Sequence, residues 1–368
     1  MGYSIDQRLT DLRRRRRGID RLDDLNFSDR ETVLAKSLQN EIWEQRQAGN
    51  KHTRYTLGAM QPVGSEYTEI SVETALRVGK QLNNRLSQTI EFRLQGSVPL
   101  NVHIRGVSDV DLLTIDTCIF GFDAHGCLAN TYIPAERTRL DVLLTLRRDA
   151  ERELKAAYPA VTVNCSGGKA ISMKGGSLPR PVDVVPSIWN NTAGYQASYA
   201  EHDRGVVILD KNVPTSVANQ PFLHIKRIND ADIEAAGGLK KAIRLVKNIK
   251  SDSDRQAAKK ISSFDLASLM YHADRRALAT SKFYELSVLG EVRRFLDWVY
   301  HHEVEAKSLF TPDGSRRILD IDDKFQAVRH LSYEVDELAK QVAKEQSFLV
   351  NDSDWTSMTK VLRESAIP

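Results

Sequence analysis

The apolar residues of this chain follow two different spacings, and the change from one to the other restricts the fold more than any other feature. Between about residues 90 and 210, short apolar runs such as VDLLTI, VTVNC and GVVILD are separated by glycine, proline and polar residues. Runs of this kind are typical of buried strands. From about residue 228 onward, the apolar residues recur at the spacing of amphipathic helices. The change predicts an α+β chain in which a mixed sheet with helices precedes a helical domain.

The overall composition is that of a folded protein with about two domains. The 368 residues include 52 lysines and arginines against 49 aspartates and glutamates, so the net charge is +3. This near balance excludes a uniformly basic protein that coats nucleic acid. Three cysteines without a C-x-x-C pair argue against a disulfide framework, and no apolar run approaches the length of a membrane span. We therefore expect a cytoplasmic protein that does not enter a membrane.

The spacing divides the chain into three segments: an N-terminal helical segment (1–60), a core (61–225) and a C-terminal α-helical domain (226–368). Within the core, helical spacing predicts helices at about 70–90 and 134–158. Gly167 and Gly168 lie between two β-branched runs and predict a hairpin. Pro186 is expected to stop the strand that follows.

A run of five arginines, Arg13 to Arg17, lies within the predicted N-terminal helix. Charge runs are usually solvated, so a solvated helix face is the preferred interpretation. The acids expected to offset it are Asp6, Asp11, Asp20, Asp23 and Asp24. Binding of RNA, DNA or another polyanion is the alternative.

Two acids interrupt one of the predicted strands. Successive side chains of a strand alternate between its faces, so Asp109 and Asp111 share one side while Val110 and Leu112 point into the core. Two carboxylates so close repel unless a cation lies between them, and Mg²⁺ prefers carboxylate and phosphate oxygens. Asp109 and Asp111 are therefore candidate metal ligands, with an exposed strand edge as the alternative explanation of the pair. A third acid, Asp183, follows within another apolar strand, and because it is costly to bury without a partner, it should meet a metal, a base or solvent at a cleft.

A short turn precedes the first acid of the pair. Gly96 and Ser97 form this turn, and Ser97 lies twelve residues before Asp109 (109 − 97 = 12). A glycine lets backbone N–H groups approach a phosphate, and a serine hydroxyl adds a hydrogen bond. Taken alone, the two residues are more typical of an ordinary turn than of a phosphate site.

Together these motifs resemble a known family. Gly96-Ser97, followed by Ser108-Asp109-Val110-Asp111-Leu112 and by the late acid in VDVVPS, is similar to the nucleotidyltransferases of the polymerase beta superfamily. The segments GLKKAIRLVKNIK and KISSFDLASLMYH narrow the resemblance to the cyclic GMP-AMP synthase and bacterial CD-NTase branch. The resemblance implies a polymerase beta-like core with a mixed β-sheet, and an active site in the cleft between this core and the helical domain.

The resemblance also implies roles for individual residues. Asp109, Asp111 and Asp183 would be catalytic and would hold two Mg²⁺ ions, with Mn²⁺ as a substitute. Lys247 would contact the donor triphosphate, and Ser263 would bind phosphate. Phe264, where the family has tyrosine, would stack on a nucleobase. Without the resemblance, Lys247 fits a solvated helix face, Ser263 a helix N-cap and Phe264 a core position.

The implied function is synthesis of a cyclic di- or trinucleotide from nucleoside triphosphates, with release of pyrophosphate. It further implies antiphage (CBASS) signalling, with regulatory or effector proteins of the same operon as partners. An RNA-tailing, oligoadenylate-type or small-molecule nucleotidyltransferase would share the acids. An inactive nucleic-acid sensor ranks last because all three acids are present. Five histidines lack metal-ligand spacing and are assigned no chemistry: His103, His224, His272, His301 and His302.

Overall fold

The computed structural model describes residues 4–17, 41–46, 50–106, 108–351 and 354–367. Within these residues the strands form one seven-stranded mixed sheet. The strands are β1 (Ile90–Gln95), β2 (Val110–Phe122), β3 (Thr162–Asn164), β4 (Ile171–Lys174), β5 (Val182–Asn191), β6 (Gly205–Asp210) and β7 (Thr215–Asn219). The predicted hairpin is confirmed, because β3 and β4 pair antiparallel on either side of the two glycines.

The helices surround this sheet and continue beyond it. They are α1 (Ile5–Arg17), α2 (Ile42–Gln45), α3 (Lys51–Met60), α4 (Ser65–Asn83), α5 (Arg139–Ala157), α6 (Ala193–Ser198), α7 (Pro221–Glu234), α8 (Gly238–Ser251), α9 (Ser263–Met270), α10 (Arg275–Ala279), α11 (Ser287–His301), α12 (Glu303–Lys307), α13 (Asp322–Gln346) and α14 (Trp355–Glu364). The predicted class, a mixed sheet followed by a helical domain, is confirmed. Among the described residues, none of these helices combines the length and the apolar character needed to cross a bilayer.

Two predicted helix starts were wrong by several residues. The first core helix begins at Ser65 rather than near residue 70. The second begins at Arg139, because the Thr138 hydroxyl accepts the Asp141 N–H at 3.1 Å and caps the helix. This local capping hydrogen bond, rather than the proline at 134, therefore sets where the helix begins.

The two longest strands, β2 and β5, lie side by side in the middle of the sheet. They are parallel, with Val110 opposite Val182 and Asp111 opposite Asp183. The sheet order is β1-β2-β5-β4-β3, and β6 with β7 extends from the second half of β5. All the other strand pairs are antiparallel.

Pro186 does not stop its strand, contrary to the prediction. β5 continues through it to Asn191. On one side of β5 the neighbour changes at this point, because pairing with β4 ends at Val184 and pairing with β6 begins at Ser187. No strand residue is paired with Pro186 on that side. The absence of a proline N–H therefore costs the sheet no hydrogen bond there.

The two faces of the sheet have different coverings. Helices α4 and α5 cover one face, over an apolar core that includes Val110 and Leu112 of β2. On the other face, Leu113 belongs to a second cluster, against which Phe222 of α7 packs. Because side chains alternate along a strand, Asp111 lies on this second face, as predicted.

The helical part of the chain is built around a separate, larger core. This core contains Leu9 and Leu12 of α1 and Tyr55 of α3 together with residues of α8, α11 and α13. The described residues of the predicted N-terminal segment therefore pack with the helical domain. The boundaries at 60 and 225 stay predictions.

The structure corrects the interpretation of the arginine run. Arg13 and Arg17 pair with Glu44, and Arg16 pairs with Glu41, so distant acids replace the local ones expected. Arg15 is buried and forms a bidentate pair with Asp252 of the α8 C-terminus. Of the five, only Arg14 is exposed. The acids predicted at 20, 23 and 24 lie outside the described residues.

Replacing Arg15 should destabilise the fold far more than replacing its neighbour. Asp252 also accepts a hydrogen bond from the Tyr55 hydroxyl at 2.7 Å, so Arg15→Met leaves a buried carboxylate without its cation. We expect a loss of about 3 kcal/mol in the free energy of unfolding, measured by urea denaturation. Arg14→Ala is the matched control and should change stability by less than about 0.5 kcal/mol. Equal losses in the two variants would contradict the structural role of Arg15.

Candidate active site

The paired strands bring two of the predicted acids together. Asp111 of β2 lies directly opposite Asp183 of β5, although 72 residues separate them (183 − 111 = 72). Asp109 lies just before the first residue of β2. On the other side of β2, Gln95 at the end of β1 is opposite Asp111. Three strands therefore meet at the acidic cluster.

Gly96 lies against the carboxylate of Asp111. Its φ is +80°, in the left-handed region that side chains rarely adopt. A Cβ at this position would lie 2.2 Å from Oδ2 of Asp111. Only glycine fits here, for conformation and for space.

Burial and neighbouring carboxylates raise the pKa values of Asp111 and Asp183. Burial, followed by the charges of Asp183 and Asp109, raises the pKa of Asp111 to about 7, while Lys247 opposes the shift. Burial also raises the pKa of Asp183, and the Ser172 side chain opposes this increase. A cation placed among the three acids would relieve both the repulsion and the desolvation.

Lys247 reaches the site from α8 and is not the solvated residue that helical spacing alone favoured. It is only 3% exposed, and its Nζ donates to the backbone oxygen of Val102 at 2.6 Å. Burial, followed by the charges of Lys250 and Arg244, lowers its pKa to about 7, while the Asp111 charge opposes the shift. The charge of a buried lysine therefore acts on that of a half-buried acid.

The start of α9 forms the opposite wall. Ser262, not Ser263, caps the helix, since its hydroxyl accepts the Asp265 N–H at 3.0 Å. The Ser263 side chain is exposed, and it forms no side-chain hydrogen bond with other described residues. The ring of Phe264 is 37% exposed rather than in the core, and it stacks on His224 with 4.4 Å between the ring centroids.

These residues surround one cavity of about 290 Å³ between the sheet and the helical domain. Six of the eight predicted residues line it: Gly96, Ser97, Asp111, Lys247, Ser263 and Phe264. Asp109 and Asp183 do not line the cavity, but their charges act on Asp111. Eight further residues complete the lining: Gln95, Leu100, Val102, Asn219, Pro221, His224, Ile225 and Ala267.

His224 is the residue that sequence reasoning most clearly missed. It is 4% exposed, and burial lowers its pKa to about 4, so the imidazole is neutral at pH 7. Its Nδ1 is buried without a hydrogen-bond partner among the described residues. No motif marks it, because its position follows from the contact between α7 and α9.

The site has the chemistry of a metal centre completed by a ligand. Asp183 Oδ1 is buried and has no hydrogen-bond partner among the described residues, so an acceptor oxygen is available. Within the part of the chain that the structure describes, no three acidic, histidine or cysteine side chains are close enough to hold an ion on their own. Carboxylates supplemented by substrate phosphates are the arrangement that Mg²⁺ prefers. The residues present therefore fit a metal shared with a phosphorylated substrate.

Comparisons with known proteins agree with this arrangement. Residues 226–340 match the family model of the cGAS/DncV-like nucleotidyltransferase C-terminal helical domain. A cyclic dinucleotide synthase, CdnE, from Yersinia aleksiciae is 43% identical over 329 residues, which cover 89% of this chain and 86% of the relative. The chain belongs to the cGAS/DncV-like nucleotidyltransferases. A c-di-GMP synthase from a Lachnospiraceae bacterium is 31% identical over 242 residues, 59% of this chain and 68% of that relative.

Solved structures of the family have the same fold. A STING-associated CdnE c-di-GMP synthase from Capnocytophaga granulosa superposes with a TM-score of 0.70 at 26% identity, covering 94% of this chain and all of that one. A CdnE c-UMP-AMP synthase from Rhodothermus marinus, solved with Apcpp and Upnpp, gives 0.53 at 19% identity over 75% of this chain and 96% of that one. The similarity to the Rhodothermus marinus structure supports a shared fold and nothing more.

Family membership confirms the enzyme class predicted from the sequence, a nucleotidyltransferase that makes cyclic nucleotides. Enzymes of this class are generally metal-dependent. The roles of the eight individual residues stay predictions, and the cavity is where they can be tested.

Gly96→Ala should impair nucleotidyl transfer without unfolding the protein. The added Cβ displaces the Asp111 carboxylate, and a displacement of about 1 Å can cost about 100-fold in rate. Gly237→Ala is the control, since Gly237 has a φ of +86° but nothing within 4 Å of the position that an added Cβ would take. We expect similar melting temperatures, with activity lost only in Gly96→Ala. Equal activity of the two variants would contradict the close packing of Gly96 and Asp111.

Proposed function

We propose that this protein joins two nucleoside triphosphates into a cyclic dinucleotide, releasing pyrophosphate at each of two nucleotidyl-transfer steps. The observation that carries the proposal is the pairing of Asp111 with Asp183 at a cavity that both Asp111 and Lys247 line. The relatives named above are cyclic dinucleotide or c-di-GMP synthases, which favours a product of two nucleotides. The bases and the linkage follow from details of the pocket that the motifs do not specify.

The acids serve as metal ligands in this proposal. Asp109, Asp111 and Asp183, together with phosphate oxygens of the substrate, would hold two Mg²⁺ ions, or Mn²⁺ in their place. When bound, these ions stabilise charge on the α-phosphate and favour deprotonation of the attacking ribose hydroxyl. Gly96 leaves room for the Asp111 carboxylate, since a Cβ at this position would lie 2.2 Å from Oδ2 of Asp111.

The polyphosphate of the donor nucleotide binds on the side of the helical domain. Lys247 supplies positive charge, and the Ser97 and Ser263 hydroxyls supply hydrogen bonds. Ser263 is the first residue of α9, and the N-terminus of a helix favours anions. These groups together stabilise the negative charge that develops on the departing pyrophosphate.

Phe264 provides a flat apolar surface for a nucleobase. Its ring is partly exposed in the cavity and is backed by the imidazole of His224. Base stacking on an aromatic ring tolerates any of the four bases. Selection among bases therefore depends on other residues of the lining.

A bounded cavity also favours cyclisation over polymer extension. The linear intermediate must turn and present its own hydroxyl to the same acids, and the helical domain, which supplies Lys247, Ser263 and Phe264, bounds the space of about 290 Å³ in which it would turn. A template-directed or RNA-tailing enzyme needs a long basic channel instead. Four of the five arginines that suggested polyanion binding are already paired with acids, as Arg13 is with Glu44, or buried, as Arg15 is.

The biological setting is proposed from the resemblance. It comprises antiphage (CBASS) signalling in the cytoplasm, with regulatory or effector proteins of the same operon as partners. The sequence does not decide whether a nucleic acid activates the enzyme.

Removing the acid pair should abolish product formation. The double variant Asp109→Ala/Asp111→Ala loses the central metal ligands, so we expect a fall in rate of at least about 1,000-fold. The assay uses all four radiolabelled nucleoside triphosphates with Mg²⁺ or Mn²⁺, then phosphatase treatment and mass spectrometry of the surviving product. Chelation of the metal should have the same effect on the unmodified protein.

The control is Asp322→Ala/Asp323→Ala, which removes two exposed acids at the start of α13 and causes the same change in net charge. It should retain full activity. Activity in the Asp109/Asp111 double variant would refute the catalytic assignment. An extended RNA or an adenylylated acceptor, in place of a phosphatase-resistant cyclic product, would refute the proposed reaction.

Replacing Phe264 should weaken nucleotide binding only if the new residue lacks an aromatic ring. Phe264→Leu removes a stacking surface worth about 1–3 kcal/mol per base, so the KM for nucleoside triphosphates should rise by about tenfold. Phe264→Tyr retains the ring and should bind nucleotides nearly as well as the unmodified protein. An unchanged KM for Phe264→Leu would show that the base does not stack here. Circular dichroism of both variants checks that the packing against His224 survives.

A further inference from the structure

A buried arginine with no assigned role lies next to the loop that leaves β1. Arg244 of α8 is 6% exposed, and no carboxylate of the described residues lies within salt-bridge distance of it. Its Nε donates to the backbone oxygen of Met60 at 2.6 Å, and its Nη1 donates to that of Asn101 at 2.8 Å. One guanidinium therefore joins the end of α3, the loop after Gly96 and the helical domain.

The neighbouring polar residues of α8 make contacts of the same kind. Lys247 donates to the backbone oxygen of Val102, one residue beyond Asn101. Asn248 donates to the backbone oxygen of Ala59, one residue before Met60. Two consecutive carbonyls of the loop are thus held by two side chains one helical turn apart.

Such an arrangement is costly for stability alone. Burying a cation without a salt-bridge partner carries a large desolvation penalty, and apolar residues would join these segments at lower cost. Burial lowers the pKa of Arg244 to about 10, although the charge of Asp232 opposes this decrease. The contacts do have a consequence at the site, because Ser97, Leu100 and Val102 of the same loop line the cavity.

We propose that Arg244 is a positioning residue for catalysis: it holds the loop 96–102 so that Gly96 and Ser97 present their backbone and hydroxyl groups to the donor polyphosphate. Arginine suits this role because its planar fork reaches two carbonyls at once in a fixed geometry, whereas a lysine has one ammonium group with rotating donors on a flexible stem. The inference rests on the proposed function for its catalytic part. Its structural part, the holding of the loop, stands independently.

The test compares Arg244→Met and Arg244→Lys with Arg293→Met. Arg293 of α11 is another largely buried arginine, paired with Asp336 at 2.9 Å, and has no contact with the loop. Hydrogen–deuterium exchange reports on the loop through the amides of Asn101 and Val102, which donate to the oxygens of Val98 and Ser97. Steady-state kinetics with nucleoside triphosphates are measured at a temperature where circular dichroism shows all variants folded.

We expect both loop amides to exchange at least about tenfold faster in Arg244→Met, with no change in α11. The kcat should fall by about tenfold or more in this variant, because the polyphosphate contacts are misplaced, while Arg293→Met keeps the kcat of the unmodified protein. Arg244→Lys should give loop exchange rates and a kcat between those of Arg244→Met and Arg293→Met. It replaces Arg244→Met in the test if that variant does not fold.

Exchange at the loop amides, or a kcat, within about twofold of the unmodified protein would overturn the inference. Proportional loss of kcat in Arg244→Met and Arg293→Met would also overturn it, since that result indicates general destabilisation. An unmodified protein that makes no product from any nucleoside triphosphate would contradict the proposed function instead. The exchange measurement would then still decide whether Arg244 holds the loop.

Discussion

The parallel pairing of β2 with β5 is the constraint on which the site depends. Parallel register places Asp111 beside Asp183 on the face that α4 and α5 leave uncovered. Two carboxylates at this spacing repel, and burial strengthens the repulsion, as the raised pKa of Asp111 shows. The sheet can keep this arrangement because the apolar residues on its opposite face pack against two long helices. Stability supplied on one side of the sheet thus supports an unfavourable charge cluster on the other.

The helical domain supplies the opposite charge. Lys247 is held in the low-dielectric space between α8 and the loop after Gly96, close enough to influence the pKa of Asp111. The net charge of +3 conceals this polarity, because charges far from the cleft nearly cancel. The acidic ends of the central strands face a basic helix. This arrangement suits a nucleotide with its metal ions, since the metal meets the acidic wall and the phosphates meet the basic one.

Some features of the site could be predicted because they are local in sequence. The alternation around Asp109 and Asp111 depends only on strand geometry, and the hairpin at 167–168 depends on turn chemistry. Other features could not be read in this way. Pro186 is tolerated inside β5 because the neighbouring strand changes there, and Arg15 is buried because Asp252 lies beside it in the fold. Both depend on partners distant in sequence, which spacing does not reveal.

The sequence by itself determined the class of the fold and the order of its two parts, since the spacing of apolar residues and the turn residues express these directly. From short motifs it also predicted the acids as metal ligands, which stays a prediction. Only the tertiary structure decided which side chains meet across the cleft. His224 backs Phe264, and Arg244 holds the loop at Asn101. Both contacts join segments that are distant in sequence. Their physical basis is the packing of two cores against each other, which no local pattern encodes.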